Sequence, residues 1–420
     1  MGSAKIISAI KERARVLGPG LITGASDDDP SGIATYSQAG AQTGLATLWT
    51  ALLTFPLMAA IQGMCARIGL VTGRGLTLTI REHYPKGLLY GVLLMSFPAI
   101  TLNIGANIEG MAAVANMIFP AVPVPAFCLC ITAALMFAII TFPYRKIASI
   151  LKWLCLSLLL YMAVPFMMDQ DWAAVARNAF IPTIALNKDF VLILVAIFGT
   201  TISPYLFFWQ ATMEAEDAAH GRQDPALGRR SLADMRKDVN AGMLLSNLVM
   251  FFIILTAGSV LYPAGIRRID TVAQAAAALE PLTGRLTYLI FAAGVLGTGF
   301  LSIPVLAGSQ SYMLAETFGW KTGLDKKFHK AKLFYISIIF SLAVSVGLDF
   351  FGISAIQALL YTAVCYGLTA PVMVAVVLHI GNNRKIMGGH TNSRLSNALG
   401  AIALIIMSAA AAALLYFLFF

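Results

Sequence analysis

Thr23-Gly24-Ala25-Ser26-Asp27-Asp28-Asp29-Pro30-Ser31-Gly32 interrupts the first long apolar stretch of this chain, which runs over about 16–40. Three consecutive carboxylates in such a stretch decide how the chain can fold. Each costs roughly 2.5 to 3.5 kcal/mol at the centre of a bilayer-spanning helix, so three in a row cannot face lipid. Pro30 lacks an amide donor and its ring clashes with the turn before it, while Gly24 and Gly32 loosen the backbone on either side. The segment is therefore expected to unwind and to aim carboxylates and freed carbonyls into a polar cavity. An aqueous turn between two short helices is the plainer alternative, but neither flank is long enough to span alone and 33–40 continues without a charge. A calcium loop is excluded: Asp27, Asp29, Ser31 and Gly32 fall at relative positions 1, 3, 5 and 6, yet position 12 is Gln38 rather than Glu.

The rest of the chain shares the apolar character of that stretch. Of its 420 residues, 59% are hydrophobic and 12% charged, against about 25% charged in a soluble domain. This composition excludes a soluble domain, a disordered chain and a disulfide scaffold, and it points to an all-α polytopic membrane protein. Eleven runs reach the roughly 20 apolar residues that a spanning helix needs. They cover about 16–40, 44–71, 88–118, 124–142, 147–168, 190–214, 239–262, 286–315, 332–350, 353–380 and 396–420. Only the connections near 169–188 and 217–237 exceed about fifteen residues, so 1–420 reads as a single membrane domain. The five cysteines, Cys65, Cys128, Cys130, Cys155 and Cys365, lie in apolar stretches and are expected to be buried small hydrophobes. Cys128 and Cys130 lack the second pair or the His that a metal site needs.

The net charge of +9 raises the question of an acidic partner. Placing the N-terminus in the cytoplasm puts all of the 29 Lys and Arg except Arg177, Lys188, Arg267, Arg268 and Arg285 on the inner side. The positive-inside rule is satisfied, and topology with anionic lipid accounts for the charge without a nucleic-acid partner. The basic N-terminal residues Lys5, Lys11, Arg13 and Arg15 precede a stretch too long and interrupted for a cleavable signal peptide. Neither a nucleophile–base pairing nor a phosphate loop is present, so an enzyme is not expected.

A second interruption, Gly199-Thr200-Thr201-Ile202-Ser203-Pro204-Tyr205, lies in the sixth span. Alone it could be a proline kink. Two Gly/Pro-broken spans at matching positions in consecutive five-span halves instead point to an inverted-repeat transporter with its substrate site at the midplane. Carboxylates, hydroxyls and freed carbonyls are hard oxygen donors, which suit Mg²⁺, Mn²⁺ or Ca²⁺. An anionic substrate would prefer half-helix N-termini without three acids beside them.

At these residues the sequence resembles the Nramp family of divalent-metal transporters, a branch of the LeuT-type fold. The resemblance covers nearly the whole chain through Gly18-Pro19-Gly20, the position of the Asp-Pro-Gly-Asn motif at Asp29–Gly32, the run Gln38-Ala39-Gly40-Ala41, the break in span 6, and Gly367 to Pro371. It implies a 5+5 inverted repeat over about 16–168 and 190–380, broken spans 1 and 6, and an extra span over about 396–420. It also implies a metal site made of an Asp and an Asn from span 1, a Met from span 6 and one carbonyl from each break. These fall on Asp29, Gly32, Ser203, Ser26 and Thr200.

The departures from the family pattern carry information. Ser203 stands where the family has Met and Gly32 where it has Asn, which removes a soft sulfur and an amide and leaves a roomier oxygen-only site. Such a site suits partly hydrated Mg²⁺, an ion that gives up water reluctantly, and the pattern is similar to the Nramp-related magnesium transporters. The two family histidines of span 6 align with Tyr205 and Gln210, and the acidic pair of span 3 with Asn107 and Gly110. His83, His220, His329 and His390 fall in loops and His379 at a helix end, so no histidine relay is expected within the membrane. Glu109 remains, either as a substitute proton site or as a buried, paired acid.

The expected protein is a carrier of the cell (plasma or inner) membrane that imports Mg²⁺ and Mn²⁺ by alternating access. It is driven by membrane potential without obligatory proton coupling, and needs neither a cofactor nor an obligatory protein partner. Asp29 is the expected direct or water-mediated ligand. Asp27 and Asp28 line a vestibule or cap freed amides, Ser203 and Tyr205 shape the pocket, and Gln210, Asn107 and Glu109 stand behind it. Glu214 and Glu216 read as a solvated helix end or an exit lining. A proton-coupled Mn²⁺/Fe²⁺ importer and a sodium-coupled organic-solute carrier of the same fold are the alternatives.

Overall fold

The computed structural model describes residues 18–142, 162, 164–167, 169–219, 229–279, 287–324, 326–347 and 354–419. Hydrocarbon offers backbone groups no hydrogen-bond partner, so long apolar runs must pair their own N–H and C=O groups as helices. The described residues accordingly form helices and no strands. These are α1 (Pro19–Asp27), α2 (Pro30–Thr43), α3 (Trp49–Thr72), α4 (Leu76–His83), α5 (Lys86–Ile118), α6 (Val124–Thr141), α7 (Trp172–Phe180) and α8 (Lys188–Thr201). There follow α9 (Pro204–Ala219), α10 (Arg229–Val260), α11 (Val272–Ala276), α12 (Thr287–Phe318), α13 (Lys332–Val346), α14 (Ala355–Asn382), α15 (Arg384–Met387) and α16 (Arg394–Phe419).

Eight units among the described residues are long and apolar enough to cross a membrane: α3, α5, α6, the joined α8–α9, α10, α12, α14 and α16. The broken span 1 is divided into two helices too short to qualify singly, and the apolar part of α13 is Lys332–Val344. Most of the expected fifth span, 147–168, lies outside the described residues, as do Cys155 and His220. Two expectations need correction. The segment 217–237 is not a loop throughout, because α10 begins at Arg229 and runs for 32 residues. A helix of that length is about 48 Å long, more than the roughly 30 Å hydrocarbon core, so its charged first turns lie beyond the apolar layer. Cys130 is exposed rather than buried, since a step of two residues carries it off the face that holds Cys128.

Close packing sets where the broken helices lie. α10 packs along both α1 and α2. A Cβ at Gly20 would sit 2.6 Å from the Val239 nitrogen, and one at Gly40 would sit 2.5 Å from the Ile254 carbonyl oxygen. The two halves of span 1 thus meet α10 nearly backbone to backbone, as small residues permit in membrane bundles. α8 meets α14 in the same way: a Cβ at Gly199 would lie 2.8 Å from Gly367 Cα. The start of α1 is fixed from 220 residues away, where Asp238 of α10 accepts from Gly18 N at 2.7 Å, and also from Gly20 N at 2.6 Å and Leu21 N at 3.3 Å. A helix N-terminus has free N–H groups and a positive dipole end, and a carboxylate answers both.

Candidate metal site

The first break is shorter than expected: only Asp28 and Asp29 separate α1 from α2. Asp29 is the N-cap of α2, its Oδ1 accepting from Gly32 N at 2.8 Å. Its negative charge therefore rests on the positive end of the α2 dipole. Oδ2 accepts from two amides of α5, Asn107 Nδ2 at 2.8 Å and Asn103 Nδ2 at 3.2 Å. Other groups fix which way those amides face. Asn107 Oδ1 accepts from Ser31 N at 3.1 Å, and Asn103 Oδ1 lies 3.1 Å from the Thr362 hydroxyl, which has a nearer acceptor in the Leu359 carbonyl at 2.8 Å. A carboxylate offers about four acceptor positions, and N–H donors fill most of those of Asp29.

Gly32 lies where the two breaks meet. A Cβ there would lie 3.1 Å from the Asp27 carbonyl oxygen and 3.7 Å from the Thr200 hydroxyl. Any larger residue at this position would crowd those groups and the Tyr36 ring, 3.4 Å from such a Cβ. Tyr205 OH donates to the Ser26 carbonyl at 3.2 Å, and Tyr36 OH lies 2.9 Å from the Thr201 hydroxyl, so two contacts join the breaks directly.

At the second break only Ile202 and Ser203 separate α8 from α9. The Ser203 hydroxyl is 2.6 Å from the Thr200 carbonyl and 2.9 Å from that of Gly199. Both carbonyls expected to face an ion, Ser26 and Thr200, thus already accept a hydroxyl. One thioether touches this break: Met250 Sδ of α10, 3.6 Å from the Thr201 hydroxyl.

The structure brings Asp29, Ser26, Gly32, Thr200, Ser203, Tyr205 and Asn107 together around the two breaks. Gln210 lies further along α9, accepting from the Thr23 hydroxyl at 2.5 Å and donating to Glu214 Oε1 at 2.9 Å. Glu214 is fully buried, which corrects its reading as a solvated end, and Glu216 accepts from Tyr312 OH at 2.8 Å. Glu109 is buried on α5 and is absent from the hydrogen bonds of Asp29.

Asp27 and Asp28 do not line an open vestibule, being 1% and 3% exposed against α10. The three aspartates also do not converge, and no group of three or more His, Cys, Asp or Glu among the described residues is arranged to hold an ion. Asn103, Thr362, Tyr36 and Ser246 are additions from the fold. The spacing of Asn103 and Asn107, four residues apart and so on one face of an apolar helix, is the signal that could have found that pair.

The profile described as "Natural resistance-associated macrophage protein-like" matches residues 20–417. The chain belongs to the Nramp family. The divalent metal cation transporter MntH of Mycobacterium tuberculosis is 24% identical over 417 residues, covering 97% of this chain and 93% of that protein. MntH 1 of Pseudomonas aeruginosa is 25% identical over 430 residues, covering 98% and 93%. Among solved structures, the manganese transporter of Eremococcus coleocola superposes with a TM-score of 0.73 at 18% identity, over 96% of this chain and 86% of that one. Mhp1, a nucleobase-cation-symport-1 family transporter, does so with a TM-score of 0.56 at 13% identity, over 96% and 92%. This Nramp-family chain therefore has the LeuT-type fold, with spans 1 and 6 broken.

Proposed function

We propose that this Nramp-family protein imports divalent metal ions across the cell membrane, Mg²⁺ foremost and Mn²⁺ with it. The ion is taken partly hydrated, and membrane potential drives it without obligatory proton coupling. The observation that carries this reading is the state of Asp29, a buried carboxylate held by N–H groups where Gly32 puts no side chain between the two breaks. An ion stripped of water needs about six inner ligands. The Ser26 and Thr200 carbonyls already accept hydroxyls, and Ser203 supplies no sulfur. An ion that keeps several waters needs instead one carboxylate and polar groups that can trade partners with those waters, and this arrangement offers both.

Asn103 and Asn107, the side chains bonded to Asp29, are amides and take up no proton near neutrality. A divalent ion gains about 4.6 kcal/mol per 100 mV of inside-negative potential, enough to drive uptake on its own. The basic inner ends support a cytoplasmic N-terminus. A single domain with repeats over about 16–168 and 190–380 and an added span over about 396–420 is the organisation that accompanies this reading. Met250 at the second break favours a second reading in part, that of a softer ion such as Mn²⁺. Mg²⁺ entry into proteoliposomes under an imposed potassium diffusion potential and without Na⁺ tests the proposal. Uptake is expected to grow with the potential, and absence of Mg²⁺ entry or a requirement for Na⁺ would contradict it.

A further inference from the structure

Several buried acids among the described residues are answered by N–H donors. Asp238 accepts three backbone N–H groups, Asp29 accepts one backbone and two side-chain N–H groups, and Glu316 of α12 accepts Leu78 N at the start of α4. Asp27 and Asp28, at the end of α1, share a single serine. The Ser246 hydroxyl lies 2.6 Å from Asp27 Oδ2 and 3.4 Å from Asp28 Oδ1. A hydroxyl has one hydrogen to give, and the shorter contact takes it. Asp27 Oδ1 is buried with no hydrogen-bond partner, in a side chain that is 1% exposed. Among the described residues no Lys, Arg or His forms a salt bridge with either carboxylate.

The two acids also sit at the wrong end of a helix for an anion. Asp29 lies at the N-terminus of α2, where the dipole is positive, whereas Asp27 and Asp28 lie at the C-terminus of α1, where the dipole is negative and the last carbonyls lack helical partners. Two unneutralised carboxylates there are costly inside a membrane, and a divalent cation cancels their charge in full. We propose that Asp27, Asp28 and Ser246 form a second divalent-cation site, distinct from Asp29, on the α1 side of the break. It is built from hard oxygens, so it takes ions of the Mg²⁺ and Mn²⁺ class. Asp27 and Asp29 are two residues apart, so their Cα atoms are within about 7 Å, close enough to hand an ion from one to the other. This deepens the functional reading above and rests on it. With the N-terminus inside, the second site is the inner of the two and follows Asp29 in the direction of import.

Mn²⁺ binding to the purified full-length chain, followed by the loss of the free-ion electron paramagnetic resonance signal and competed with Mg²⁺, tests the site. Asp29→Asn is expected to keep one saturable Mn²⁺ site. Adding Asp27→Asn should weaken that residual binding by about tenfold or more, and adding the charge-neutral Ser246→Ala by several-fold. Loss of all saturable binding in Asp29→Asn alone, in protein that elutes and melts as the wild type, would overturn the second site and leave the transport reading standing. Residual binding indifferent to both Asp27→Asn and Ser246→Ala would overturn it equally. Wild-type protein that binds neither Mn²⁺ nor Mg²⁺ would overturn both the site and the function. Should Asp27→Asn fail to fold, the Ser246→Ala arm decides alone.

Discussion

At the first break the polar groups are answered mostly from elsewhere in the chain: Asn103 and Asn107 of α5 hold Asp29, Ser246 of α10 holds Asp27, and Tyr205 of α9 reaches the Ser26 carbonyl. At the second, the segment answers itself, with Ser203 closing on the Gly199 and Thr200 carbonyls and Thr201 on the Ile197 carbonyl at 2.7 Å. Both breaks are two residues long and both are followed at once by a proline. The difference lies in charge. A charged break must recruit partners from several helices, so its geometry changes when those helices move, which is what an ion-binding element in an alternating carrier requires. A neutral break can be satisfied locally, so its geometry depends less on the neighbouring helices.

Substitutions can break this contrast. Asp29→Asn removes the one charge that both N–H groups and an ion can share, and uptake in proteoliposomes should fall by about a hundredfold or more. Asn107→Leu keeps the charge but removes both the donor to Asp29 and the acceptor for Ser31 N. Transport should drop by about ten- to a hundredfold, the usual effect of losing a group that orients a ligand. A drop confined to the maximal rate, with ion affinity unchanged, would show that Asn107 does not position the carboxylate. Gly24→Ala and Gly199→Ala probe packing instead of chemistry. The new methyl would lie 2.7 Å from Gly242 Cα in the first and 2.8 Å from Gly367 Cα in the second. Each should cost about 1 to 3 kcal/mol of stability, seen as a lower melting temperature in detergent, and equal losses would show that the two breaks differ in charge alone. Ser203→Met has the smallest effect. It adds a soft sulfur at the second break and should shift competition between Mn²⁺ and Mg²⁺ several-fold toward Mn²⁺, read in dual-ion uptake; an unchanged ratio would place Ser203 away from the ion.

Both breaks could be read in the sequence because acids, glycines and prolines are conspicuous in apolar spans, and the inverted repeat followed from their positions. What answers the charges could not. Ser246, Asn103 and Thr362 are single polar residues in apolar helices, and only the packing of those helices decides which carboxylate each meets. Asp238 illustrates the same limit, since its role at the start of α1 depends on a contact between residues 220 positions apart. Glu214 lies near the end of a helix, a position that suggests solvent, yet Gln210 one turn before it and the neighbouring helices bury it completely. The depth of Asp27 and Asp28 is hidden for a related reason: three adjacent acids suggest water, and here α10 covers two of them.

The proposed function requires that Mg²⁺ move inward without protons moving in step. Proteoliposomes loaded with both a Mg²⁺-sensitive and a pH-sensitive dye, held at a fixed inside-negative potential, test it most directly. Internal Mg²⁺ is expected to rise, a rise lost in Asp29→Asn, with internal pH unchanged as the ion enters. No Mg²⁺ rise, together with internal acidification when Mn²⁺ is supplied, would contradict it.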